Sequence, residues 1–225
     1  PKTSAPALSE TIELFRPYVE EGRDIVCFSI SNSMSSSGNV MQLAAEELDA
    51  QDLITVIDSA NLSTGIGLLV IEAAILAQNN KTAAEISVAV ENLKPYVRAS
   101  FVVDTLTYLH RGGRCSAIAA MAGGLLKLHP QIIVEHGAMK PTKKYRGKMD
   151  SVILSYVKDM EPALKHARPD RVFITHSGCD PTIVNAVRSY LEGLGIFHEI
   201  LETRAGGVIS SHCGPGTLGV LFIES

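Results

Sequence analysis

Short apolar runs alternate with longer amphipathic stretches over the first hundred positions. Residues 25–30 and 53–57 are largely apolar runs of strand length, each with one small hydroxyl residue, Ser29 or Thr55. Around them, apolar positions recur at helical spacing. A helix is predicted from a Ser9 cap to near Gly22, with Ile12, Leu14, Phe15, Tyr18 and Val19 as its apolar positions. Pro17 is expected to kink or shorten it. Further helices are predicted from Val40 to about Ala50, from Gly65 through Leu76, and from a Thr82 cap to about Tyr96. Residues 2–6 form an extended, proline-punctuated lead-in. Strands alternating with helices of this length predict a parallel sheet with helices on both faces.

The rhythm changes near residue 98. Residues 99–103 read as a strand, 105–109 as a short helix, Arg111–Arg114 (RGGR) as an interruption and 115–127 as a helix. Residues 131–134 and 139–145 are two strands joined by a tight turn at His136 and Gly137, a hairpin signal. An amphipathic helix runs to about Ala167, followed by strand 172–175, helix 181–193, strand 198–203 and a closing strand 218–223. The fold class is therefore α/β in two lobes. Residues 1–97 form a Rossmann-like lobe with a parallel sheet, and 98–225 an α+β lobe whose sheet is mixed and partly antiparallel.

Composition narrows the function. At 225 residues the chain is long enough to bury a sizeable core, and 46% hydrophobic residues without tryptophan is ordinary for a globular protein. The net charge is −4, and basic residues cluster only at Lys143, Lys144, Arg146 and Lys148, which argues against broad nucleic-acid binding. No apolar stretch reaches the roughly 18 residues that span a bilayer, and no charged-then-apolar leader opens the sequence. Cys27, Cys115, Cys179 and Cys213 lie far apart, as free thiols in a reducing cytoplasm do, not as a disulfide framework or zinc site. The expected localisation is cytoplasmic. His129, His136, His166 and His198 show no ligand spacing.

The chemistry concentrates at FSISNSMSSSGN, residues 28–39. A strand, a Ser/Asn-rich loop and a helix follow one another there. The first amides of a helix lack intrahelical acceptors and carry partial positive charge, so a carboxylate or phosphate can rest on them. Serine hydroxyls can donate to such an anion. The plainer reading is that Ser35, Ser36, Ser37 and Asn39 only cap the helix. In parallel sheets ligands lie beyond the carboxyl ends of the strands, where this loop falls.

Five stretches carry a family resemblance: KTSAP at 2–6, VIDSANLSTGIG at 56–67, YLHRGGRCSAIAAMAGGLLKL at 108–128, KKYRGK at 143–148 and SHCGPGTLG at 211–219. Together, and in this order, they resemble the DegV family of bacterial fatty-acid-binding proteins. The resemblance implies two α/β lobes with a long apolar tunnel between them that holds one long-chain fatty acid, such as palmitate or oleate. It implies no catalytic residue and no cofactor. It also implies service as the acyl-carrying subunit of a fatty-acid kinase, presenting the carboxylate to a separate kinase subunit for acyl-phosphate formation. Thr3 matches the threonine that binds the carboxylate, and Ser35 the serine of the family's loop, with Ser4 and Ser36 beside them. His212, Arg114 and Arg146 match residues near the portal and phosphotransfer surface. The family loop carries Gly, Thr and an aromatic where this chain has Ser36, Ser37 and Gly38, and Gln where it has Ala5. The family's first βαβ segment would precede KTSAP, so the sequence is expected to be part of a longer product and the first lobe's sheet to want an interior strand.

The residues also leave other readings open. The small-residue run 117–126 supplies a tunnel wall or simply a tightly packed helix. Arg114 can serve a helix C-terminus electrostatically, and His212, next to Gly214, Pro215 and Gly216, reads as part of a turn. A small-molecule phosphotransferase subunit or a hydrolase, using the Ser loop as an anion cradle, is the alternative function. A Ser35–His212 dyad would serve the hydrolase, but no nucleophile elbow or orienting carboxylate accompanies it. Nothing in the sequence signals an activated thiol at Cys213.

Overall fold

The computed structural model describes residues 2–114 and 128–225. The helix expected over 115–127, and with it the small-residue run 117–126, lies outside the described residues. Two compact units are present: one comprises Thr3–Pro95 with His136–Ala138, the other Tyr96–Glu135 and Met139–Ser225, with Lys2.

The first unit contains α1 (Leu8–Glu20), β1 (Ile25–Ser29), α2 (Ser37–Glu47), β2 (Ile54–Asp58), α3 (Thr64–Gln78) and α4 (Ala83–Leu93). β1 and β2 pair in parallel, Ile25 opposite Ile54 through Ser29 opposite Asp58. Ile25, Cys27, Ile54 and Val56 share one sheet face and pack with Phe15 of α1 and Ala44 and Ala45 of α2. Alternation turns Val26, Phe28 and Ile57 to the opposite face, and α3 and α4 also pack on the strands. The expected parallel sheet with helices on both faces is thus present.

Local signals explain most helix ends. Thr82 and Glu85 form a reciprocal capping box at α4, each accepting the other's amide. α1 starts earlier than the Ser9 cap: Ala7 is its N-cap, and the Glu10 carboxylate accepts the Ala7 amide at 3.3 Å. Pro17 does not end it. The ring removes one amide from the ladder near the C-terminus, and the helix continues to Glu20.

The second unit holds a six-stranded mixed sheet. Its strands are β3 (Val97–Val102), β4 (His129–Glu135), β5 (Ala138–Tyr145), β6 (Ala167–His176), β7 (Glu199–Arg204) and β8 (Leu218–Glu224), in the spatial order β5-β4-β3-β8-β6-β7. β6 and β7 are parallel, while β3 runs antiparallel to β4 and β8, and β8 to β6. Its helices are α5 (Thr107–Gly112), α6 (Met149–Asp159), α7 (Glu161–Leu164), α8 (Pro181–Gly193) and α9 (Gly207–Cys213). The single helix expected to reach Ala167 is broken at Met160, because Pro162 has no amide to continue it. β6 then begins five residues earlier than the apolar run suggested, at Ala167, with a register irregularity before Val172.

The core of this unit centres on Tyr156 of α6, which is fully buried beside Val220 and Phe222. Its hydroxyl donates to the Ser100 carbonyl at 2.8 Å and accepts the Val220 amide at 3.1 Å. Ser100 and Val220 are register partners on β3 and β8, so the phenol oxygen bridges the ladder between them. Gly219 is required alongside, since a Cβ there would stand 2.7 Å from the Ser100 carbonyl oxygen.

Candidate functional site

Because β1 and β2 are parallel and in register, the loops that follow them leave from the same end of the sheet. Hydrogen bonds tie the two loops together. Ser31, only 1% exposed, donates its amide to the Asn61 carbonyl at 2.9 Å. The Asp58 carboxylate accepts the amides of Ala60 at 2.8 Å and Asn32 at 3.3 Å. Ser59 donates its amide to the Ser29 carbonyl at 3.2 Å. The turn His136–Ala138 also packs here: the Ser31 hydroxyl donates to the Gly137 carbonyl at 2.6 Å and accepts the Ser33 amide at 3.2 Å.

Ser35 lies at the mouth of α2, partly buried. Its amide is held by the Ser31 carbonyl at 3.1 Å, and its hydroxyl accepts the Ser37 amide at 3.2 Å. The Ser35 and Ser37 hydroxyl oxygens are 2.8 Å apart. Two hydroxyls own two protons, and their mutual bond uses one. One proton of the pair is therefore left to point at an incoming acceptor. Gly38 and Asn39 follow in the first turn of α2, whose amides have no intrahelical acceptor. A hydroxyl proton beside such amides is a receptor for a carboxylate or phosphate oxygen.

Gly38 has its place because of a close approach. A Cβ there would stand 2.6 Å from Asn32 Oδ1 and 2.9 Å from the Ser29 hydroxyl. Ser29 is 2% exposed, and its hydroxyl has no partner among the described residues. Ser36 is the exposed N-cap of α2, without a side-chain cap bond; the companion of Ser35 is Ser37, which the sequence reading credited only with capping. Thr3 is half-buried and Ser4 exposed, both in the same unit as Ser35.

The second unit brings Arg114 and His212 together. α5 and α9 pack against one another, placing the His212 ring over Gly112, where any Cβ would overlap it. His212 thus lies in the last turn of a helix that the glycine-rich sequence had suggested was a turn. Arg114 is exposed and donates to the Gly112 carbonyl at 2.8 Å. Burial first, and then the Arg114 guanidinium, hold the His212 imidazole below the usual histidine range, so it is neutral near pH 7. Arg146 is exposed in the turn after β5. Burial pushes the Cys213 thiol up to about 12, in keeping with an unactivated cysteine.

Several contributors were not singled out from sequence: Ser31, Asp58, Gly137 and the Ser37 partnership. Asp58 carried a signal, a carboxylate at a strand end followed by SAN. Gly137 carried none beyond its hairpin.

Residues 1–225, the whole chain, match the family described as "Uncharacterised protein, DegV family". A DegV domain-containing protein of Clostridium perfringens is 32% identical over 229 residues, covering 99% of this chain and 77% of the relative. A fatty-acid-binding DegV family protein from Thermus thermophilus is 29% identical with a TM-score of 0.87, covering 100% of this chain and 79% of that one. The Streptococcus pneumoniae Fatty Acid Kinase (Fak) B3 protein, loaded with linoleic acid, shares the fold at 20% identity and a TM-score of 0.85, with 100% and 78% covered.

Proposed function

The chain belongs to the DegV family, and on that premise we propose that it binds a single long-chain fatty acid, such as palmitate or oleate, through the hydroxyls of Thr3 and Ser35, and presents the carboxylate to a separate kinase subunit at a surface bearing Arg114, His212 and Arg146. It is a carrier and not an enzyme. The observation that carries the reading is the Ser35–Ser37 pair at the start of α2, with one hydroxyl proton to spare beside unsatisfied amides. Fatty-acid binding by the Thermus thermophilus relative supports it.

The energetics suit a neutral receptor. Each buried methylene contributes about 0.8 kcal/mol, so ten supply roughly 8 kcal/mol, enough for micromolar affinity before ordering costs. The acyl chain then supplies the affinity, and the head group needs only to be satisfied. Hydroxyls and helix amides do that without burying a second ion.

Native mass spectrometry of the purified protein, followed by solvent extraction, tests the reading. One co-purifying long-chain fatty acid per chain is the expected result. Protein that is empty and takes up neither oleate nor palmitate overturns it.

A further inference from the structure

The geometry points to Ser31 and Gly137 as positioning residues that give the Ser loop its preference for a carboxylate. This rests on the head-group role of Ser35 proposed above. A serine hydroxyl has one proton to give, and Ser31 gives it to the Gly137 carbonyl at 2.6 Å while accepting the Ser33 amide at 3.2 Å. At 1% exposure, with its proton committed, Ser31 is no ligand for an incoming acid.

Its backbone does the rest. The Ser31 carbonyl accepts the amides of Met34 at 2.8 Å and Ser35 at 3.1 Å, and its own amide is held by Asn61 at 2.9 Å. Ser35 is therefore suspended from Ser31, and Ser31 is fixed from one side by Asn61 and from the other by Gly137. Gly137 suits that task in two ways. Its φ of +78° is left-handed, where residues with a Cβ are strained. A Cβ on it would stand 2.7 Å from the Ser31 hydroxyl and 3.6 Å from that of Ser33, pushing the loop off the carbonyl. His136 before it is also left-handed, at φ 50°, so the turn is held to one shape.

The consequence is selectivity. Donors must converge on a carboxylate to satisfy it, whereas an alcohol needs one partner. A loop released from Gly137 keeps its contacts with an acyl chain but aims its donors poorly.

The test compares oleic acid with oleyl alcohol, by displacement of a fluorescent fatty acid, on the full chain and on Ser31→Ala, Gly137→Ala and Ser35→Ala. The expected result is that Ser31→Ala and Gly137→Ala each lower the acid-over-alcohol preference at least fivefold, with alcohol affinity within twofold of the parent. If both keep the parent preference while Ser35→Ala abolishes it, Ser31 and Gly137 are merely structural and the inference falls. If Ser35→Ala also keeps the parent preference, the head-group reading fails and this inference falls with it. Ser31→Ala adds no bulk and decides the matter even if Gly137→Ala does not fold.

Discussion

Gly112 lies so close beneath the His212 ring that the ring occupies the space a Cβ would need. The histidine thus owes its position to a glycine a hundred positions earlier, and burial there, ahead of the Arg114 guanidinium, lowers its basicity. Gly112→Ala is expected to push the ring outward and return its titration toward 6.5, while oleate affinity stays within twofold. Histidine NMR titration reads the first effect and ligand displacement the second.

Arg114→Ala removes the smaller of the two influences on His212. Its titration point should rise but remain below 6.5, since burial is the larger cause. The sign for stability follows. A base depressed in the folded state takes up its proton more readily when unfolded, so stability is full above about pH 6.5 and is lost as pH falls through the folded value. Urea midpoints between pH 7.5 and 5 should fall less steeply for His212→Asn than for the parent.

The proton count at the Ser35–Ser37 pair separates its members. Ser37→Ala leaves the Ser35 proton free, and oleate affinity should fall less than about threefold. Ser35→Ala also strips the Ser37 amide of its acceptor and should cost about 1–2 kcal/mol, roughly five- to thirtyfold in Kd. Thr3→Ala is expected to match it. Displacement titrations rank the variants, and a loss for Ser37→Ala equal to that for Ser35→Ala would contradict the count.

Tyr156→Phe keeps the ring and removes only the oxygen that bridges Ser100 and Val220. The buried Ser100 carbonyl and hydroxyl and the Val220 amide then each lose this hydrogen bond, and stability should fall by about 2–4 kcal/mol. Urea unfolding with an unchanged m-value is the check.

Burial raises the thiols of Cys27 and Cys179 to about 11 and that of Cys213 to about 12. In a Cys115→Ser background, folded protein at pH 8 should react with a disulfide reagent at least tenfold more slowly than protein in urea.

The parallel β1–β2 pair, the helices around it and the mixed second sheet were legible because apolar runs, caps and turn residues are local signals. So was the Ser loop, as a polar cluster between a strand and a helix. Its internal order was not: Ser31 meets a carbonyl 106 residues away, and no spacing rule reaches that far. α9 was hidden because Gly206 and Gly214 bracket a short segment that reads as loop. The start of β6 was hidden because Arg168, Asp170 and Arg171 look like solvent-facing residues. Ion pairs of Arg168 with Asp170 and Arg171 with Glu199 accommodate them in a strand.

The order β5-β4-β3-β8-β6-β7 bears on how the chain is made. β8, the last of these strands to be synthesised, sits between β3 and β6 and, among the described residues, bridges the two halves of the sheet. Until it leaves the ribosome, β3 and β6 each present an unpaired edge and Tyr156 lacks Val220. The unit therefore completes its sheet only after synthesis of β8. A nascent chain stalled before residue 218 should stay protease-sensitive and lean on chaperones, whereas the β1–β2 unit, apart from the short 136–138 turn, has emerged long before.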